Sequence, residues 1–291
     1  FLEIQAIRGF WGDPDMKQLA NYDLDKFALD DQGRFEIGVG PEPLPGIENW
    51  IATDPTSDNN TLLVRECFYD WQAETPGELT IEPLDWTPPA ALDESALIGR
   101  IEAARRMMHF ALDTYCGPFT SQVLDRGGLN NFIVEDTSGD DDGRSNPSAL
   151  YLPTVYEIGS DEALIIELTI GDARYWSAQL GDVWLQATDW IYRQSSLNGH
   201  YARPDNDGKI RLVLSAEDPG VANWLDVGPH LKGVVVVRAY FVKAFAPPAT
   251  RRVPLSELHR HLPEDTVTVT AEARAHALRE RSRAALRRYG Y

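Results

Sequence analysis

The sequence predicts a mainly β protein with some α structure: two β-sandwich or jelly-roll-like modules joined by a helix, with a basic helix at the C-terminus. One strand–loop–strand pattern occurs twice, a single amphipathic segment separates the two occurrences, and the last part of the chain is rich in alanine and arginine. The expected divisions are a first β module over residues 1–90, a connecting helix and loops over 91–150, a second β module over 151–250 and a helical tail over 251–291.

The repeated pattern consists of a glycine, an alternating strand, a turn-rich loop, an Asn-Trp pair and an apolar strand that contains an arginine. The first copy starts at Gly33 and has its Asn-Trp pair at 49–50, and the second starts at Gly208 and has the pair at 223–224. Alternation with period two predicts a strand with one face on a core, and a continuous apolar run predicts a strand buried on both faces. We interpret each Asn-Trp pair as a structural turn in which Asn binds backbone and Trp closes the end of the module.

The connecting helix is predicted to begin after Asp93, a suitable N-cap, and to end at Gly117-Pro118. Its apolar residues recur at helical spacing and therefore fall on one face: Leu97, Ile101, Ala104, Met108, Ala111 and Tyr115. Residues 136–148, rich in Asp, Gly and Ser, are predicted to form a mobile loop. From residue 271 onward arginine outnumbers glutamate, which predicts a basic helix docked on the protein's own acidic surface or at a subunit contact.

Charge and hydropathy narrow the range of partners. The formal net charge of −18 predicts no nucleic acid partner and no anionic membrane partner, since both require a basic surface. No run reaches the roughly 18 apolar residues that a membrane-spanning helix needs. Two cysteines are too few for a disulfide framework, which favours a cytoplasmic location. The chain opens in the middle of a predicted strand and without Met, so we expect an N-terminal piece to be missing. A targeting signal could have been part of that piece.

Two strings stand out in the second copy: Asp-Pro-Gly-Val-Ala-Asn-Trp-Leu-Asp at 218–226 and Val-Arg-Ala-Tyr at 237–240. They resemble the signature of a bacterial family, domain of unknown function 1214, which often occurs with a companion numbered 1254. Further segments fit the pattern of longer actinobacterial members: 65–71, 175–176, 189–198, 207–208 and the terminal arginine helix. The resemblance implies a β-sandwich architecture and the loss of the N-terminal part of those members. It implies no activity, so the site must be argued from chemistry.

Positions that differ between the two copies are the first catalytic candidates. Asp226 stands where the first copy has Ala52. His230 follows on the next loop and has no equivalent in the first copy. A carboxylate and an imidazole on one loop could form an acid–base pair, with Arg238 holding an anionic group. The alternative is a hydrogen-bonded loop without a catalytic role. Arg65 and Arg238 lie in apolar strands, where a structural ion pair is the simplest interpretation.

A second candidate cluster runs from residue 175 to residue 201. Aromatic residues interleaved with Asp, Arg and Asn are typical of a cleft for a sugar or a ring-bearing lipid, but an ordinary sandwich core has the same composition. Asp189 is the further catalytic candidate of this cluster. The substrate-binding candidates are Arg193, Arg238, Tyr175, Trp176, Asn198 and His200. No metal and no cofactor are predicted, because the usual ligand and phosphate-binding motifs do not occur.

Three functions from different classes fit these residues. The first is a cofactor-independent hydrolase or lyase acting on a small apolar or glycosidic substrate. The second is a non-catalytic module that binds a carbohydrate or a lipid, and the third is a structural or assembly protein. We expect a small-molecule ligand and a homo-oligomer.

Overall fold

The computed structural model describes residues 1–85, 93–135, 146–243 and 246–290, so most of the loop predicted at 136–148 lies outside the described residues. The protein is mostly β, with a central and a C-terminal helix, as predicted. Within the described ranges, no helix combines the length and apolarity needed to span a membrane. The chain divides into two compact units, the first made of Phe1–Cys67, Thr75–Gly117 and Asp140–Asn146, the second of Phe68–Glu74, Pro118–Gly139 and Pro147–Tyr291.

The first unit contains an antiparallel sheet in the order β2-β1-β5 and a parallel pair, β3-β4. The strands are β1 (Leu2–Arg8), β2 (Lys17–Asp23), β3 (Ile37–Gly40), β4 (Asn49–Ala52) and β5 (Asn60–Glu66). Alternate residues of β1 pack with Ile51 in a small apolar core. On the other face of β1, the carboxylate of buried Glu3 lies 3.5 Å from Arg65, which also donates to Gln5 at 2.7 Å. The structural ion pair predicted for Arg65 is confirmed.

The central helix begins where predicted but continues beyond the predicted end. Its parts are α1 (Glu94–His109), a π-helical segment (Phe110–Cys116) and α2 (Gly117–Gly127). Asp93 caps α1 by accepting the Ala96 N–H at 2.8 Å. The prediction that Gly117-Pro118 ends the helix was wrong, because the wider π turn lets the Gly117 N–H bond the Leu112 carbonyl five residues back. Pro118 then falls in the first turn of α2, where its missing N–H costs little.

The apolar face predicted for α1 is present but is not buried. Leu97, Ile101 and Met108 are 50%, 57% and 63% exposed, and no residue of α1 is buried. Surface helices usually turn such a stripe towards a core. This one faces solvent.

The second unit is a β-sandwich of two four-stranded sheets, ordered β11-β10-β7-β13 and β6-β12-β8-β9. The strands are β6 (Ala149–Glu157), β7 (Glu162–Leu168), β8 (Tyr175–Gly181), β9 (Ser196–Asn198), β10 (Ile210–Ser215), β11 (Trp224–Asp226), β12 (Lys232–Tyr240) and β13 (Ala249–Pro254). Alternate residues of both sheets meet in one core. Of the two apolar runs predicted to be buried on both faces, that of the second copy is β12, which lies inside its sheet between β6 and β8. The prediction was wrong for the first copy, because its run is β5 at the edge of the first sheet, where Val64 is 40% exposed.

Other elements cover the outer faces of the sandwich. A 3-10 helix (Leu255–Arg260) packs on the β10 and β7 side through Leu258, and α2 packs on β6 and β12 through Phe119 and Val123. The predicted basic helix is α3 (Ala271–Arg288), capped by Thr270. Its buried residues Arg274, Ala284 and Ala285 dock it within the second unit.

The Asn-Trp pairs form the same hydrogen bonds in both units. Asn49 accepts the backbone N–H of Ala28 and donates to its carbonyl, at 2.8 and 2.9 Å. Asn223 does the same with Arg203, at 2.8 and 2.7 Å. Each tryptophan donates to the last carbonyl of the paired strand, Trp50 to Gly40 at 3.0 Å and Trp224 to Ser215 at 3.1 Å. Asn binds backbone as predicted, but the pair leads into a short parallel strand and not into a turn.

Candidate functional site

A cavity of about 80 Å³ lies in the second unit, against the outer face of β8 and β9. The alternation of β8 places Trp176, Ala178 and Leu180 in the sandwich core, so the residues between them point outwards. The cavity is lined by Trp71, Tyr175, Ser177, Gln179, Ser196, Leu197, Asn198, Tyr201 and Arg281.

One wall is the strap, residues 68–74, which crosses the end of the sheet. The Asn198 side-chain amide donates to the carbonyls of Phe68 and Tyr69 at 2.9 and 3.0 Å, and the Tyr201 hydroxyl accepts the Trp71 N–H at 3.0 Å. Asn198 is buried, and its oxygen accepts two further backbone N–H groups. Its amide is therefore committed to holding the strap.

The opposite wall comes from α3. The Arg281 guanidinium lies 4.4 Å from the centre of the Trp71 ring and donates to the Trp190 carbonyl at 2.7 Å. It also donates to the Ser196 carbonyl and hydroxyl at 3.1 and 2.7 Å. Burial of the charged group lowers the pKa of Arg281 to about 10, which leaves it a cation at neutral pH.

Arg274, two turns earlier on α3, has a different environment. It lies 2.9 Å from the Asp218 carboxylate, donates to the Gln194 side chain at 2.9 Å and packs against the Trp224 ring. Arg274 is therefore a neutralised structural residue. In the described part of the chain, Arg281 has no such carboxylate partner.

Arg238 is a second cation on this face. It lies opposite Ser177 in the β12–β8 register, donates weakly to Gln179 at 3.5 Å and stands over the Tyr151 ring. Gln179 lines the cavity, so Arg238 is separated from it by one side chain. The structural ion pair expected for Arg238 is not formed with any carboxylate of the described residues.

Of the six predicted substrate-binding residues, Arg193 forms ion pairs with Asp226 and Asp189, and the other five divide into three groups. Tyr175 and Asn198 line the cavity, and Arg238 lies directly behind its wall. Trp176 points into the sandwich core. His200 is exposed and lies 3.7 Å from Asp70; it does not line the cavity.

The predicted catalytic residues lie elsewhere and only partly together. Asp226 is buried, and its oxygens accept from Arg193 at 2.9 Å and from the Gly228 N–H at 2.8 Å. Asp189 is 3.8 Å from the same Arg193. The structure does not join Asp226 to His230, whose exposed side chain has no polar partner among the described residues. The predicted acid–base pair is thus replaced by an Asp–Arg–Asp cluster, because the Arg193 guanidinium and a backbone N–H occupy the carboxylate.

Sequence reasoning missed the residues that close the cavity. Trp71 and Arg281 are more than two hundred positions apart in the chain, and no spacing rule connects them. The available signal was the arginine-rich helix on an acidic protein: a helix docked on its own chain must bury some of its arginines.

The comparisons with known proteins point to a family without an assigned activity. The crystal structure of an uncharacterised protein from Burkholderia cenocepacia is similar, with 29% identity and a TM-score of 0.79, covering 88% of this chain and 70% of that chain. A Vibrio parahaemolyticus protein shows 13% identity and a TM-score of 0.46, covering 87% of this chain and 82% of that chain. No curated protein matches the chain. Residues 161–244 match a family described as "Protein of unknown function (DUF1214)", and the resemblance predicted from the sequence is thereby confirmed for β7 to β12 of the second unit.

Proposed function

We propose that the second unit is a non-catalytic module that binds a small molecule in the cavity beside Arg281. The observation that carries this proposal is the chemistry of the lining: aromatic, hydroxyl, amide and guanidinium groups, with no carboxylate and no imidazole among the described lining residues. Hydrolysis and elimination need a group that exchanges a proton near neutral pH. The Tyr201 phenol of the lining is a poor substitute, because burial raises the pKa of Tyr201.

The size of the cavity restricts the ligand. About 80 Å³ is well below the roughly 300–1,000 Å³ of sites that enclose drug-sized molecules. The cavity therefore accepts a compact polar group, and the rest of the ligand lies at its mouth. Arg281 and Arg288 both stand over the Trp71 ring, at 4.4 and 5.3 Å. Guanidinium groups there compete with sugar stacking, which favours a compact polar group over a stacked carbohydrate.

Ligand-observed NMR with a panel of small neutral and charged fragments tests this function. We expect several fragments to bind weakly, in roughly the millimolar range that few-atom ligands reach, and to lose binding in Ser177→Phe, which fills the cavity from β8. Ser121→Phe makes the same change at an exposed serine of the second unit and serves as the control. The proposal fails if no fragment binds, or if folded Ser177→Phe binds as well as the unmodified protein.

The hydrolase or lyase with Asp226, His230 and Asp189 as catalytic groups stays a prediction. Its residues would need a substrate that displaces Arg193 from the Asp226 carboxylate, because that ion pair occupies the proposed base. Asp226→Asn tests it once a reaction has been found.

A second candidate function, assembly with another copy of this chain, is favoured by the exposed stripe on α1. Within α1 its residues Leu97, Ile101, Ala104 and Met108 alternate at spacings of four and three, which is the pattern of a helix that pairs with another helix. Two copies of one such stripe are self-complementary about a two-fold axis. Exposed apolar stripes of this kind mark interaction surfaces.

Sedimentation velocity tests the assembly. We expect a dimer that dissociates when Ile101 and Met108 are both changed to Glu, because two charges would be buried at the centre of the contact. Ala103→Glu, exposed on α1 outside the stripe, is the control. A monomeric unmodified protein at micromolar concentration would refute the assembly function.

A further inference from the structure

We propose that the first unit binds two further β-strands along the open edges of β5 and β3, and that these strands are the counterparts of β6 and β7. The assigned occupant is a segment of the same protein directly N-terminal to β1. This surface lies in the first unit and is independent of the cavity, so its occupancy goes beyond the proposed binding function.

The two copies of the repeat share a strand order that extends beyond the sequence pattern. The sheet β2-β1-β5 corresponds to β9-β8-β12, and the parallel pair β3-β4 corresponds to β10-β11. The same side-chain contact recurs in both sheets: Arg65 donates to Gln5 at 2.7 Å, and Arg238 donates to Gln179 at 3.5 Å. In each sheet the glutamine lies two positions beyond the residue that pairs with the arginine. The strands β1–β5 therefore form the same substructure as β8–β12.

The second unit has two strands for which the described part of the first unit shows no counterpart. β6 pairs with β12 on the side away from β8, and β7 pairs with β10 on the side away from β11. Along the corresponding edges of β5 and β3, no strand pairs within the described ranges of the chain. These two edges are therefore open in the described structure.

The edge of β5 carries backbone groups that bond no other strand. The Cys67 N–H donates to the Phe1 carbonyl at 2.9 Å, and the pairing of β1 with β5 continues in regular register. Because the hydrogen bonds of an antiparallel strand alternate between its two sides, the N–H and carbonyl groups of Leu62 and Val64 point away from β1. Among the described residues, no protein group bonds them. A row of such groups is a template for a further strand.

Side-chain exposure differs between the two copies at the positions beside these edges. Val64 directly precedes the arginine of the repeat and is 40% exposed, whereas Val237, its counterpart in β12, is 0% exposed opposite β6. Val39 precedes the residue whose carbonyl accepts the tryptophan N–H and is 37% exposed. Its counterpart Leu214 in β10 is 0% exposed opposite β7. On both edges, an apolar side chain that a neighbouring strand covers in the second unit is exposed in the first.

The core of the second unit indicates the chemistry of the occupant. β6 and β7 supply five of its buried apolar residues: Leu152, Tyr156, Leu164, Ile166 and Leu168. In the corresponding core of the first unit, Ile37 and Leu62 are only partly buried. Two strands with alternating apolar residues would complete this core. Since β6 and β7 directly precede β8 in the chain, their counterparts are assigned to the segment directly before β1. A β5–β5 contact with a second copy would leave the β3 edge open.

Amide hydrogen exchange on two forms of the protein tests this occupant: residues 1–291, and the natural protein translated from its own start codon. We expect the amides of Leu62 and Val64 to exchange at least about 100-fold more slowly in the natural form, because pairing with a strand removes them from water. The amides of Val235 and Val237 lie inside their sheet in both forms and are the matched control.

Fast exchange of the Leu62 and Val64 amides in the natural form, with the control amides protected, would overturn the assignment. Slow exchange of the same two amides in residues 1–291 would also overturn it, because the edge would then be covered without the N-terminal segment. A rate that falls as the protein concentration rises would in that case assign the edge to a second copy.

A substitution on β3 tests the second edge with the same assay. Val39→Asp should speed exchange at Leu62 and Val64 at least about 10-fold in the natural form, because the docked strands would bury an unpaired carboxylate. In residues 1–291 the same substitution should leave both rates unchanged. Leu29→Asp, at an exposed apolar residue of the first unit, is the control. Unchanged rates in the folded natural form of Val39→Asp would overturn the contact at β3.

Discussion

Removal of the Arg274 guanidinium should detach α3 from the second unit. Arg274 is 7% exposed. It connects the helix to the loop before β11 through Asp218 and two backbone carbonyls, and to the segment before β9 through Gln194. Arg274→Ala leaves these acceptors facing an empty space. We therefore expect α3 to open more often, and the Arg281 wall of the cavity to open with it.

The magnitude follows from the burial of the partners. Breaking a fully buried ion pair costs about 3–5 kcal/mol, but the Asp218 side chain is 30% exposed and water restores part of its solvation. The lower end of the range, about 3 kcal/mol, is the expected loss. Arg283→Ala provides the scale for an exposed pair: Arg283 is 66% exposed beside Glu280, and such helical pairs contribute about 0.5 kcal/mol or less.

Amide hydrogen exchange along α3 is the suitable assay, because a chain of two units need not unfold in one step. The opening free energy of the helix should fall by about 3 kcal/mol in Arg274→Ala, hardly change in Arg283→Ala, and fall by an intermediate amount in Arg274→Lys. A loss below about 1 kcal/mol in Arg274→Ala would refute the reasoning. It would mean that the apolar contacts of Ala284 and Ala285 hold the helix without the arginine.

Three further predictions concern single positions. Asn223→Ala removes two hydrogen bonds to backbone and should lower the free energy of unfolding in urea by about 2 kcal/mol, at about 1 kcal/mol each; a loss below about 0.5 kcal/mol would contradict this. Gly117→Ala should destabilise the protein, because a Cβ at this position meets a backbone carbonyl of the π turn. A Cβ at Gly99 meets no other atom, so Gly99→Ala should stabilise the protein by up to about 1 kcal/mol. Thermal melts in which both variants shift the melting temperature in the same direction would exclude this role of the π turn. A hydrogen bond from the Arg211 side chain lowers the pKa of Asp207 from 3.8 to about 2. A carboxylate whose pKa is depressed in the folded state stabilises the fold above its unfolded pKa, and this stability is lost as the pH falls through the folded pKa, so stability should decline between pH 3.8 and about 2, with a shallower decline in Arg211→Gln. Equal slopes for the two proteins in acid titrations followed by urea unfolding would disprove the coupling.

Local patterns in the sequence predicted the elements but not the surfaces they form. The alternation at Ile210, Leu212 and Leu214 predicted a strand with one face on a core, and these residues do face the sandwich core. Asp93 predicted the start of the central helix. The end of that helix was missed, because Gly-Pro normally stops an α-helix and the π turn that accommodates it has no sequence signal of comparable strength.

The candidate site was predictable only in part. Tyr175 and Asn198 were selected because aromatic and polar residues alternate there, and both line the cavity. Asp226 and His230 were paired because they are close in sequence, but side chains on one loop meet only if the loop turns them together. Arg193 approaches Asp226 from another segment and takes its carboxylate.

By itself, the sequence determined the periodic strands, the capped helix, the basic C-terminal helix and the family resemblance, because each depends on residues that are neighbours along the chain. The tertiary structure decided which face of the second sheet became a cavity, and it brought Trp71 and Arg281 together around it. It also decided that Arg274 meets a carboxylate while Arg281 does not. The physical reason is that the environment of a side chain is set by segments distant in sequence, which packing alone brings into contact.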